Sequence, residues 1–123
     1  MLVIFGVTLP NDKKLKYALP KLFGIGSYSA SKICNELGYS PNLTVGDLSI
    51  DQQFEITKKI KSEYKIELHL REEIKSNVQR YISNGSIRGF RHKNKLPVRG
   101  QRTHTNGKTP RRVLLGLSSR NFK

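Results

Sequence analysis

The chain has little sulfur and few acids, and it lacks long apolar runs. Its 123 residues hold a single cysteine, Cys34, which excludes an internal disulfide and any multi-cysteine zinc site. No run of 18 apolar residues occurs, so no helical segment suits a membrane crossing and no membrane partner is expected. Apolar residues make up 36% of the chain, against roughly 45–50% in an average globular domain. A core therefore forms from part of the chain only. Acids number nine, and the last of them is Glu73. A metal-dependent nuclease would find no carboxylate beyond that point.

What is abundant is positive charge. Lys and Arg total 23, for a net charge of +14. Such self-repulsion does nothing for a fold and points to a polyanionic partner. The charge is also unevenly placed. Ser86 to Lys123 carries 11 Lys/Arg and no acid, whereas residues 1–85 carry a net +3. This divides the chain into a helical body, 1–85, and an extended basic arm, 86–123. Blocks of one sign stay unfolded until a partner neutralises them.

Periodicity within the body predicts short helices. Leu2 to Val7 reads as an extended segment closed by Thr8-Leu9-Pro10, with Asn11 and Asp12 as caps for a first helix. Leu15, Ala18, Leu19, Leu22 and Phe23 form a helical stripe, which Pro20 kinks or restarts. After Gly24-Ile25-Gly26, Ser27 is the expected N-cap of a second helix. That helix carries Ala30, Ile33, Cys34 and Leu37 and stops at Gly38. A loop follows, Tyr39 to Leu48. Ser49-x-x-Gln52 is a capping box that opens a third helix, with Ile50, Phe54 and Ile60 expected inward. A fourth helix runs from about Leu68 to Ser83, with Leu70, Ile74, Val78, Tyr81 and Ile82 on one face, and ends at Asn84-Gly85. Beyond it periodicity is lost. Val113 to Leu117 is an apolar patch that either docks on a neighbour or forms one helical turn.

Two constellations carry chemistry. Glycines let a ligand approach the backbone, and a following helix offers free N–H groups. The Gly24-Ile25-Gly26-Ser27 turn therefore reads as a phosphate-holding helix-hairpin-helix turn, as a tight turn that packs two helices, or as both together, since either needs glycine. In the arm, Arg88, Arg91, His92, Lys93, Arg99, Gln101, Arg102, Thr103, His104, Asn106, Lys108, Arg111 and Arg112 place cations every few residues among hydroxyls and amides. Such an arm either follows the phosphates of folded RNA, with Phe90 and the arginine planes stacking on bases, or is a solvated tail. His92 and His104 could form an acid–base pair on a phosphodiester. No positioned nucleophile accompanies them, so no catalytic residue, metal or cofactor is assigned. His69 reads as a surface residue and Cys34 as core filling.

Taken together, Gly6-Val7-x-Leu9-Pro10, Gly24-Ile25-Gly26, Arg88-Gly-Phe-Arg91-His92 and Leu96-Pro-Val-Arg99-Gly-Gln101-Arg102-Thr103-His104-Thr-Asn106 strongly resemble the small-subunit ribosomal protein thirteen family, from about Leu2 to Arg112. The resemblance implies an all-α fold: a helix-two-turn-helix body with a long extended basic C-terminal arm. It also implies a non-enzymatic role in the head of the small ribosomal subunit. Small-subunit ribosomal RNA would meet Gly24, Ile25, Gly26 and Ser27 and the arm residues named above. Small-subunit ribosomal protein nineteen would be a neighbour. Large-subunit ribosomal protein five would share an intersubunit bridge. Transfer RNA would lie near the peptidyl site, close to Arg111, Arg112, Arg120 and Lys123. The other readings are a free helix-hairpin-helix module on DNA or RNA, and the two-histidine enzyme.

The chain departs from the usual bacterial pattern at Pro20 and at His104. It also lacks a Glu-Gly-Asp turn between Tyr64 and Leu70, and it has an apolar rather than lysine-rich finish after Arg112. Thr-His-Thr-Asn resembles mitochondrial members. With 14 Lys, 10 Ile and 8 Asn against 2 Ala, the composition reads as AT-rich coding, which is frequent in organelle genomes. No arginine-rich presequence is recognised at the N-terminus, as expected for a product made inside the organelle. The expected compartment is the mitochondrion, with the bacterial cytoplasm and the plastid as alternatives.

Overall fold

The structure is a computed structural model that describes residues 2–111, together with the backbone of 113–114 and 117–118. Two compact units divide the chain, 1–70 and 71–123.

The first unit begins with a hairpin. Strands β1 (Leu2–Ile4) and β2 (Val7–Leu9) pair antiparallel in the register Leu2↔Leu9, Val3↔Thr8 and Ile4↔Val7. Phe5 (φ 50°) and Gly6 (φ 78°) both take left-handed backbone, the two-residue turn whose twist suits adjoining strands. The segment is thus not simply extended. Asn11 and Asp12 do not cap the first helix either. They run beside the loop at 43–46: Val45 N donates to Lys13 O (3.0 Å), Gly46 N to Asn11 O (3.1 Å) and Leu15 N to Leu43 O (2.9 Å). The carbonyls of Asn11 and Lys13 are taken up by this pairing, and Lys14 is the N-cap residue, with no side-chain cap.

Helix α1 (Leu15–Ala18) passes into a 3₁₀ turn, Leu19–Lys21. Pro20 lies in the first positions of that turn, where a missing N–H costs nothing. Of the kink or restart expected at Pro20, the structure has the restart. Helix α2 (Ser27–Glu36) has Gly26, not Ser27, as its N-cap, one residue earlier than the sequence suggests. Gly38 stops it at φ 69°. Another 3₁₀ turn, Val45–Asp47, leads to α3 (Ile50–Glu63). The capping box is present as expected: Ser49 Oγ accepts from Gln52 N (3.3 Å), and Ser49 N donates to Gln52 Oε1 (3.0 Å).

The core joins Leu9, Leu15, Leu19, Leu22, Ile33, Val45, Ile56 and Ile60, all nearly inaccessible. On α3, Ile60 is inward as expected but Ile50 and Phe54 are not; they are 83% and 68% exposed. Residues four apart share a helix face, whereas residues six apart do not. The buried pair is therefore Ile56 with Ile60. Between α2 and α3, Lys59 bonds Glu36 (2.9 Å) and also Glu63. The hydrogen bonds it donates to these carboxylates hold the Lys59 ammonium above its usual range. Tyr39 donates to Glu55 Oε2 (3.0 Å). Burial first, and this bond second, push its phenol up to about 12. Burial also raises the Cys34 thiol, in keeping with a core role.

Helix α4 (Glu67–Ser83) starts in the first unit and continues in the second. On its expected apolar face Val78 is buried, Leu70, Ile74 and Ile82 are half-buried, and Tyr81 is exposed. The stretch from Ser86, expected to be extended, is helical at α5 (Ile87–Lys93), α6 (Thr103–Asn106) and α7 (Lys108–Arg111). Two-residue strands β3 (Val113–Leu114) and β4 (Leu117–Ser118) pair antiparallel, so the described residues of the apolar patch are strand rather than a helical turn. Among the described residues no helix is long and apolar enough to cross a membrane, and no group of His, Cys, Asp or Glu could hold a metal ion.

Candidate nucleic-acid interface

The two glycines of the Gly24-Ile25-Gly26 turn do different things. Gly24 sits at φ 109°, and a Cβ there would lie 2.8 Å from Lys65 O, 2.9 Å from Leu70 Cδ2 and 3.3 Å from Ile66 Cα. The chain closes on this glycine. A nearby clamp fixes the approach: Glu67 N donates to Phe23 O (2.9 Å), and Phe23 N donates to Glu67 Oε1 (2.7 Å). Glu67 itself holds left-handed backbone, φ 46°, a conformation glycine adopts more readily. Ile25, expected at RNA as part of the turn, is 4% exposed and belongs to the core. It anchors the turn from beneath.

Gly26 is the opposite case. Its φ is −95°, which any residue adopts, and a Cβ would meet nothing within 4 Å. It is exposed and caps α2 without a side chain, beside the exposed Ser27. The first N–H groups of α2 have no partner within the helix, and the open ground before them suits a phosphate oxygen. Gly26→Ser separates the two requirements. Serine is a better N-cap than glycine by a few tenths of a kcal/mol, so unfolding of the variant should show unchanged or slightly raised stability. RNA binding, measured by filter retention, should nonetheless weaken, because the side chain occupies the open ground.

In the second unit a corner between α4 and α5 positions the first arm cations. Gly85 ends α4 at φ 66°. The Ser86 hydroxyl donates to Tyr81 O (2.9 Å) and accepts from Gly89 N (3.1 Å), and so caps α5 while tying it to α4. A Cβ at Gly89 would fall 2.0 Å from Tyr81 O, so only glycine permits this approach. Arg88 lies over the Tyr81 ring, 4.7 Å from its centroid, which positions the guanidinium and leaves it accessible. Gly89→Ala should therefore push α5 off α4. The expected signature is loss of helical circular dichroism equivalent to about two turns and easier proteolysis after Arg88, with the first unit still folded.

The remaining predicted contacts differ in availability. Arg91 is half-buried, and its Nε donates to Pro97 O, bracing the chain where it turns at Lys95 (φ 54°). His92 is half-buried. Burial, then the charge of Arg88, hold its imidazole below the ordinary value, so at neutral pH it offers hydrogen bonds rather than charge. Arg91, His92 and Lys93 occupy the last turn of α5, where the helix dipole favours cations. Arg99 and Arg102 are exposed, and Gln101 Oε1 accepts from Arg99 N (3.1 Å), which spends the glutamine carbonyl locally. Thr103, His104 and Asn106 are exposed on α6, and Lys108 and Arg111 on α7. Phe90 is 63% exposed, free to stack. Arg112, Arg120 and Lys123 lie outside the described residues.

Sequence reasoning missed the Ser86 hub, the Tyr81 platform and the Phe23–Glu67 clamp. Serine directly after an Asn-Gly stop is an N-cap signal and could have revealed α5. The other two join residues that no local pattern links.

Comparison with known proteins agrees with the motifs. The family model described as ribosomal protein S13/S18 matches residues 3–109, through body and arm. The chain is 43% identical over 115 residues to small ribosomal subunit protein uS13 of Thermodesulfovibrio yellowstonii, covering 91% of this chain and 95% of that one. It is 42% identical over 113 residues to small ribosomal subunit protein uS13m of Marchantia polymorpha, covering 92% and 94%. With uS13 of Rhodopirellula baltica it shares 39% over 116 residues, covering 92% and 91%. A match of this extent, carried through the turn, the α4–α5 corner and the cationic row, places the chain in the ribosomal protein S13/S18 family.

Proposed function

We propose that this protein is a structural component of a small ribosomal subunit, where it holds ribosomal RNA of the head. The observation that carries the reading is the family match over 3–109, which spans both the Gly24–Ser27 turn and the row of exposed arm cations. The family is structural, and the protein is not an enzyme. Its work is neutralisation and shape. The body docks through the open backbone at Gly26 and the N–H groups of α2. The arm, taken functionally from Ser86 onward, lays its cations along phosphates and releases counterions as it does so. Arg88 on Tyr81 and the exposed Phe90 add flat surfaces for unpaired bases.

Within the assembled ribosome, small-subunit protein nineteen is the neighbour in the head. Large-subunit protein five meets the body across the intersubunit bridge, and the arm's far end from Arg111 approaches transfer RNA near the peptidyl site. The compartment is the mitochondrion. The 42% identity to uS13m of Marchantia polymorpha and the Thr-His-Thr-Asn sequence at 103–106 favour it. Relatives named from bacteria are equally similar, so the bacterial cytoplasm is the competing location.

Sedimentation of organelle and whole-cell extracts at rising salt tests this. The protein is expected to travel with small subunits at moderate salt and to leave them only as salt screens the phosphates. A predominantly free pool at moderate salt would overturn the reading.

A further inference from the structure

The outer face of α3 is not accounted for by RNA binding. Ile50 and Phe54 lie one helical turn apart on the same side, 83% and 68% exposed. The body's core is complete without them, because Ile56 and Ile60 supply the buried side of the helix. Two large apolar side chains adjacent in water, on a face the core does not need, form a candidate contact surface.

Two lysines continue this face toward the end of the helix. Lys58 stands four residues after Phe54 and Lys61 seven. Both are exposed and neither forms an ion pair among the described residues. Lys59, between them, turns the other way and is committed to Glu36 and Glu63. The helix thus spends one lysine on its own fold and leaves two beside an apolar pair.

We propose that this face of α3 docks a protein partner that sets apolar side chains over Ile50 and Phe54 and carboxylates against Lys58 and Lys61. An apolar centre with charge at its rim is the layout of a protein interface. RNA suits the face less. Isoleucine offers no ring for a base to stack on. Exposed Asp51 and Glu55 flank the pair on one side, Glu55 held there by the Tyr39 hydroxyl, and both repel phosphate. The inference rests on the small-subunit reading, since that assembly supplies the neighbour.

Phe54→Cys makes the face measurable. The side chain is outside the core, and the buried Cys34 of the native chain sets the background. Maleimide labelling is followed in the purified protein, in the protein bound to transcribed small-subunit RNA, and in purified small subunits. Labelling should be fast in the first two and about tenfold slower or more in the third. Adding Lys58→Glu and Lys61→Glu should restore fast labelling in subunits. Slow labelling on RNA alone would show that RNA covers the face and overturn the proposal; fast labelling in native subunits would do so too. Slow labelling that survives charge reversal would overturn the acidic partner. Absence of the native protein from small-subunit fractions would instead overturn the assembly reading, and this inference with it.

Discussion

Gly24→Val should leave the first unit largely unfolded at temperatures where the native protein is folded. Two costs coincide at this position. A β-branched residue at φ 109° carries strain of about 1–3 kcal/mol. Its Cβ also enters space held by Lys65 O and Ile66 Cα. Those are backbone atoms that cannot rotate away, and forced overpacking of this kind adds about 1–3 kcal/mol. Small domains have total stabilities of about 5 kcal/mol at the low end, so the sum removes most of the margin. Urea unfolding followed by circular dichroism reads it directly. Gly26→Ser, two residues away, is the matched comparison and should keep its full transition. Native-like stability in Gly24→Val would mean that the turn does not close on residues 65–70.

Arg99→Ala with Arg102→Ala should produce the largest loss of RNA binding without touching the fold. Both side chains are exposed, and no hydrogen bond or ion pair joins either guanidinium to a described residue. Helical signal and unfolding midpoint should therefore be unchanged. Each lost charge-assisted contact is worth about 1.5–3 kcal/mol, so the pair should cost about two to four orders of magnitude in affinity. The slope of log K against log salt should also fall by about two. An affinity loss with an unchanged slope would mean that these arginines act other than on phosphates. A shifted unfolding midpoint would mean that they belong to the fold.

Much of this was legible in the sequence where the physics is local. The Ser49–Gln52 box needs two side chains three residues apart, and it formed where it was read. Gly38 ended α2 because a left-handed residue is required there. The cationic row was visible for the same reason: exposure follows from charge without knowledge of the fold. Failures came where distant segments compete. Asn11 and Asp12 look like caps until residues 43–46 run alongside them. Ile50 and Phe54 fit an inward stripe as well as Ile56 and Ile60 do, and only the position of α2 against α3 decides between them. The hairpin at Phe5-Gly6 has no Asn-Gly signature, because phenylalanine occupies a place usually given to a smaller residue. Helix α5 was hidden because a central glycine reads as a breaker. The structure uses that glycine to seat the helix on Tyr81 O. Of the turn, the motif was legible, but the division of labour within it was not, since it depends on Lys65 and Leu70.

That division has an evolutionary consequence. Gly24 answers to the interior and Gly26 to whatever lies outside, so the two would answer to separate selection although they stand two letters apart. A descendant that lost its RNA but kept its fold would drift at Gly26 and stay fixed at Gly24. A descendant that repacked residues 65–70 could release Gly24 while Gly26 remained under constraint. Substitutions at the second glycine alone would then date a change of partner rather than a change of structure.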